Sequence, residues 1–373
     1  MKNAGGLMKI KISSFSLIVL LLVFSILGLA FLYFVGNSQL EQSPPTFQFF
    51  ADSNTYIKTY RGEADNGAVI RVDGNYLGPL AVLNIFRGNN YLILLFNVCA
   101  FGASVIHIAK SLKLNSFYVG VFLLISPLTV SSLLSVNKEI FLFPFLALAL
   151  NGYLRRSLLS SLLAFCFSLL VRWQLGIFYI ALILIVRWRS VLSSRAKLLF
   201  AMLAVVSIVY LAIQPIIEPV LLYVQLSIDN YQDGGSGLFE RVLEFQNRGL
   251  YFLVFPAKAF HLLFGMGFKI DKIINPTALY NDFFVAGHCA VAFVVFLVLF
   301  FKRKITLNSD LLFVSVVFLI FFCVTPIFAP RYLYFVFVLE VLVLLGAPPK
   351  LEELQIERRP RSLFRRNYKN SQA

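Results

Sequence analysis

The stretch Ser135-Val136-Asn137-Lys138-Glu139-Ile140 sets an amide, a cation and an anion between two apolar runs, 117–136 before it and 140–154 after it. Two such runs meeting at a short polar tip predict a tight hairpin of membrane helices. Charge at that tip is costly near hydrocarbon, so it marks a functional group or a side chain snorkelling to the lipid interface. A further reading pairs Lys138 with Glu139 at the tip itself.

The composition around the hairpin agrees with it. Hydrophobic residues make up 59% of the 373 positions and charged residues 14%, with a mean hydropathy of +0.81. That balance excludes a soluble domain and predicts an all-α, polytopic transmembrane helical bundle. Apolar runs near 14–35, 91–109, 117–136, 140–154, 157–171, 174–188, 198–215, 283–301, 311–328 and 332–347 give about ten spans.

A net charge of +15 suggests nucleic acid until the charges are sorted by loop. With the N-terminus in the cytoplasm, Lys2, Lys9, Lys11, Lys110, Lys113, Arg155, Arg156, Arg187, Arg189, Arg195, Lys197, Lys302, Arg303, Lys304 and the basic tail all fall inside. This is the positive-inside arrangement, and it leaves no nucleic-acid footprint. It predicts a multi-pass protein of the bacterial inner membrane with both termini cytoplasmic. The transmembrane domain is then 1–347, with outer loops 37–90 and 215–282, and 348–373 is a basic tail on anionic inner-leaflet lipids.

The same sorting resolves Leu250 to Phe268, whose counting as a span would move Lys302 to Lys304 outside. It is therefore expected to be an amphipathic or re-entrant segment of the outer face. Cys99, Cys166, Cys289 and Cys323 lie in apolar runs without metal or disulfide spacing, so neither a metal nor a cofactor is expected. The first apolar run is too long for a signal peptide and reads as a retained span.

The two outer loops and the hairpin tips hold the chemistry. In the first loop Asp52-Ser53 reads as the cap of a short helix carrying Tyr56 and Tyr60, and Leu80 to Phe86 as an interfacial helix. Runs 140–154 and 157–171 are short, so either the membrane thins there or the tips sit below the outer surface, which puts Lys138, Glu139, Arg172, Trp173 and Gln174 in a watery depression. Asp52, Lys138, Glu139, Arg172, Arg241, Arg248, His261, Asp282 and Arg331 all fall on this face.

No phosphate-binding glycine loop or cytosolic nucleotide domain is present, so chemistry on that face needs an already activated substrate. For envelope synthesis that is a sugar on a polyprenyl phosphate or diphosphate. Its departing phosphate calls for cations, and Lys138, Arg172, Arg248 and Arg331 are the candidates. The attacking hydroxyl calls for a carboxylate base, Asp52 or Glu139, and Tyr332 could stack on the sugar. Snorkelling anchors remain the alternative for Arg172 and Arg331.

A first span followed by an outer loop with Asp52-Ser53-Asn54-Thr55-Tyr56, then Ser126-Pro127 before Asn137-Lys138-Glu139, and a late Pro330-Arg331-Tyr332-Leu333, together resemble the GT-C-like glycosyltransferases and the O-antigen and exopolysaccharide polymerases. The resemblance covers 12–347. It implies a glycosyltransferase or polymerase of surface polysaccharide, acting on polyprenyl-(di)phosphate-linked saccharides among membrane lipids and other polysaccharide-assembly proteins. It further implies Asp52 as base and Arg172 and Arg331 as holders of the lipid phosphate. A flippase of lipid-linked saccharides is the alternative.

Overall fold

The structure is a computed structural model that describes residues 2–41, 51–62, 76–188, 194–229, 241–242, 244–265, 280–324, 330–351 and 353–354. Within these, the side chains of 2–11, 35–41, 51, 52, 54, 186–188, 214–229 and 280–283 lie outside the description. Every regular element among the described residues is helical. The helices are α1 (Lys2–Glu41), α2 (Ala51–Arg61), α3 (Leu77–Phe86), α4 (Asn90–Leu112), α5 (Ser116–Leu124), α6 (Pro127–Leu134), α7 (Leu142–Arg155), α8 (Leu158–Val171) and α9 (Trp173–Trp188). They continue as α10 (Arg195–Asp229), α11 (Tyr251–Phe264), α12 (Tyr280–Phe301), α13 (Asp310–Cys323) and α14 (Tyr334–Leu344).

Side-chain caps set several starts. Asn89 Oδ1 accepts from the Tyr91 and Leu92 amides at 3.0 and 3.1 Å, and Asn115 Oδ1 does the same for α5. From these caps α4 and α5 run on as largely apolar helices, as buried or lipid-facing helices do.

Among the described residues four helices are long and apolar enough to cross a membrane: Ile12–Phe34 within α1, α4, Arg195–Ile213 within α10, and Phe284–Phe301 within α12. A bent pair, α5 and α6, makes a fifth if counted as one span. Others are half-length. The 14 residues of α7 and of α8 make roughly 21 Å of helix each, against a hydrocarbon core of about 30 Å. These two pack along one another, with α4 on α7, α9 on α8, and α14 between α12 and α13.

The helix boundaries differ from the sequence expectation in three ways. The run 117–136 is not one helix but two, bent by 91° at Ser126-Pro127. Pro127 has no N–H to donate and disfavours helical ψ in the residue before it, so Ser126 turns extended (φ −71°, ψ 121°) and Pro127 opens α6. Secondly, α1 runs past residue 37 to Glu41, and α10 continues through Pro215 and Pro219 to Asp229. Thirdly, α2 already starts at Ala51, so Asp52 sits in its first turn rather than capping it. The expected interfacial pieces are helices: α3, and α11 over most of 250–268, neither long enough to span.

Polar contacts hold the break in place. Ser126 Oγ and His288 Nδ1 of α12 lie 2.8 Å apart, and Thr129 Oγ1 lies 2.5 Å from the Tyr334 hydroxyl of α14 while donating to Leu123 O at 2.6 Å. The Leu123 carbonyl, which Pro127 has no N–H to serve, thus takes the Thr129 hydroxyl beside the Ser126 amide at 3.2 Å, and a low-dielectric interior favours such donors.

Candidate functional site

The site is assembled from three turns at one end of the bundle. Turn one follows α6. Asn97, buried in α4, donates Nδ2 to Ser132 O and Leu133 O at 3.2 Å and to Ser135 O at 2.9 Å, satisfying the last carbonyls of α6. The chain then extends through Asn137, whose Oδ1 accepts from the Glu139 amide, and Lys138–Phe141 form a single 3₁₀ turn before α7. Turn two is Arg172 alone, extended between α8 and α9. Turn three is the 3₁₀ segment Pro330–Leu333 that opens α14 and carries Arg331 and Tyr332.

Helix α3 closes over turns one and two. A Cβ at Gly78 would lie 2.4 Å from Leu170 O and 2.7 Å from Phe141, so only glycine permits that approach.

Three cations surround one ring. The Arg172 guanidinium carbon sits 3.3 Å from the Tyr332 centroid, Arg331 at 5.6 Å and the Lys138 ammonium at 5.8 Å. All three distances are within cation–π range. Arg172 Nη2 donates to Glu139 Oε1 at 2.8 Å, a pair whose side chains are 5% and 6% exposed. Glu139 thus pairs with Arg172 across two turns, and the tip pairing of Lys138 with Glu139 gives way to it. Two atoms of this ion pair, Glu139 Oε2 and Arg172 Nη1, are buried without a hydrogen-bond partner among the described residues.

A partly open crevice with a free volume of about 20 Å³, room for about one water molecule, lies between the turns. Glu139, Arg172, Arg331, Tyr332 and Tyr334 give it polar edges, and Leu142, Leu175, Phe318, Phe322 and Phe335 an apolar wall. Burial, with the charge of Arg172 beside it, pulls the Lys138 ammonium below the ordinary lysine range, while Glu139 and Tyr332 pull it back up. Glu139 is one carboxylate facing Lys138, Arg172 and Arg331 here, and cations gathered in a desolvated corner favour a nearby anion.

Of the residues singled out in the sequence, Lys138, Glu139, Arg172, Arg331 and Tyr332 come together here. Arg248 does not: it is exposed, follows Glu244 by one helical turn and pairs with it. The side chains of Asp52 and Asp282 lie outside the description, and Arg241 is exposed. Among the described residues no cluster of His, Cys, Asp and Glu could hold a metal.

Sequence reasoning passed over Asn97, the residue that positions the Lys138 turn, and Tyr334, a wall of the pocket. An amide inside an otherwise apolar run was the available signal for Asn97. No protein-family model, curated protein or solved structure matches this chain.

Proposed function

We propose that the protein is an inner-membrane glycosyltransferase or polymerase of surface polysaccharide that handles polyprenyl-phosphate- or diphosphate-linked sugars in this pocket, on the outer face of the membrane. The carrying observation is the convergence of Lys138, Arg172 and Arg331 on Tyr332 beside an apolar wall. Cations placed where a phosphate departs stabilise the charge that develops there, and a guanidinium fork matches two phosphate oxygens. Among the described residues, Arg155 and Arg156 end α7 at the far end from this corner and Lys304 meets the far end of α14, which supports cytoplasmic termini and an outward-facing pocket. About ten crossings then require the half-length helices to traverse a locally thinned bilayer.

A second reading, movement of lipid-linked saccharide across the membrane, draws on one observation. The 91° break of α5 and α6 is the kind of interrupted helix that transporters use around a substrate. Glycan profiles of a deletion strain complemented with Arg331→Met separate the two. Lipid-linked repeat units accumulating on the outer face, with long polymer gone, fit a polymerase; units held on the inner face fit transport; unchanged polymer contradicts both.

A further inference from the structure

The cationic cluster explains how an anion is held but leaves the Glu139–Arg172 pair unexplained. Arg–carboxylate pairs frequently use both guanidinium branches on both carboxylate oxygens. Here one branch bonds one oxygen at 2.8 Å, while Oε2 and Nη1 stay buried and without a hydrogen-bond partner among the described residues, beside a crevice that both residues line and that must widen before a ligand reaches them. Leaving such atoms bare is unfavourable, more so for charged groups than neutral ones. The bare acceptor and bare donor belong to one ion pair, so a group that donates and accepts at once satisfies both. A phosphate cannot do so, because the carboxylate repels it. A hydroxyl can.

We propose that Glu139 Oε2 and Arg172 Nη1 form a hydroxyl-recognising notch that orients the acceptor sugar, next to the anion position that Lys138 and Arg331 form and that the Arg172 guanidinium borders. The identity of the hydroxyl as a sugar's rests on the function proposed above; the notch itself rests on the two bare atoms. In the transfer step the hydroxyl oxygen bonds the anomeric carbon of the donor. The bond from that carbon to the phosphate oxygen breaks, and its electron pair leaves with the phosphate. The hydroxyl proton passes to Glu139 Oε2, and the Arg172 guanidinium steadies the oxygen that loses it. Glu139, rather than a carboxylate of the first outer loop, then acts as the base.

Trp173 is next to Arg172 and is 47% exposed, and the chain's other tryptophan is Trp188. A Trp188→Phe protein in nanodiscs therefore reports on the pocket through one indole. Two probes are titrated: farnesyl diphosphate for the anion position, and methyl glucoside, with and without farnesyl diphosphate, for the notch.

The expected result is that both probes saturate. Glu139→Gln then tightens farnesyl diphosphate, since a nearby negative charge is gone, and weakens methyl glucoside by about tenfold. Glu139→Asp, which keeps the charge but withdraws the carboxylate, weakens methyl glucoside while still binding farnesyl diphosphate. Retained diphosphate binding certifies that each variant is folded. The notch is overturned if methyl glucoside produces no saturable change in the wild type, meaning that the two atoms hold only water. It is overturned equally if Glu139→Gln leaves glucoside binding unchanged, or loses both probes together. Absence of farnesyl diphosphate binding with Glu139-dependent glucoside binding would contradict the proposed function and leave the notch standing.

Discussion

The two ends of the bundle use the same residue types and wire them differently. At the end opposite the cluster, Lys304 donates to Val343 O and Leu344 O at 3.4 and 3.1 Å, neutralising the carbonyl end of α14. Arg195 donates to Leu307 O and pairs with Asp310, whose other oxygen accepts from the Leu351 amide at 2.7 Å and whose own amide donates to Pro349 O. Each of these charges closes a backbone end or docks a chain segment. At the cluster end, three cations crowd one tyrosine and the ion pair among them leaves an oxygen and a nitrogen bare. Basic residues that end on carbonyls are anchors, whereas basic residues that converge on a pocket imply a ligand.

Breaking each ion pair should sharpen that difference most. Arg172→Ala strands a buried carboxylate and is expected to lower unfolding stability by about 3–5 kcal/mol while abolishing diphosphate binding. Arg195→Ala, at a pair with side chains 15% and 11% exposed, should also destabilise, by about 1–3 kcal/mol, and leave diphosphate binding intact. Chemical unfolding in nanodiscs beside a binding titration reads both.

Next come the lysines. Lys138→Met removes a desolvated ammonium, so binding should weaken by about tenfold with stability unchanged or higher. Lys304→Met uncaps α14 and should do the reverse, lowering stability by about 1 kcal/mol without touching binding.

Asn97→Leu tests whether the Lys138 turn is positioned from α4. Losing the donor to three carbonyls is expected to lower stability by about 1–3 kcal/mol and to weaken diphosphate binding as the turn loosens. A stability loss with unchanged affinity would show that Asn97 holds the helix and not the site.

The effect of pH is smaller and its sign follows from burial. Because the folded protein holds the Lys138 proton less tightly than the unfolded chain, stability should rise with pH across the window from its lowered value to the ordinary lysine range. Diphosphate binding, which wants the charged form, should fall over the same window. In Lys138→Arg both slopes should flatten, because a guanidinium stays charged there.

Much of this arrangement was legible in the sequence, for particular reasons. Apolar runs bounded by single polar tips gave the helical class, and tips on alternate connections necessarily share an end, which is why Lys138, Glu139, Arg172, Arg331 and Tyr332 could be grouped. The pairing within the group was not legible, since Glu139 meets Arg172 only through the packing of α7 on α8. Hydropathy also hid the break in 117–136, because it averages over Ser126-Pro127, although the proline was a signal for it. Arg248 misled because local charge at one-turn spacing pairs along its own helix.

The most direct test of the central claim is dipolar dephasing of ¹⁵N-arginine signals by the ³¹P nuclei of farnesyl diphosphate, with the protein in lipid nanodiscs. The guanidinium signals of Arg172 and Arg331, assigned through their Arg→Lys variants, are expected to dephase while that of Arg195 does not. Dephasing of neither cluster arginine at saturating diphosphate, or of Arg195 alongside them, would contradict the reading of this end as a phosphate site and of the other as an anchor.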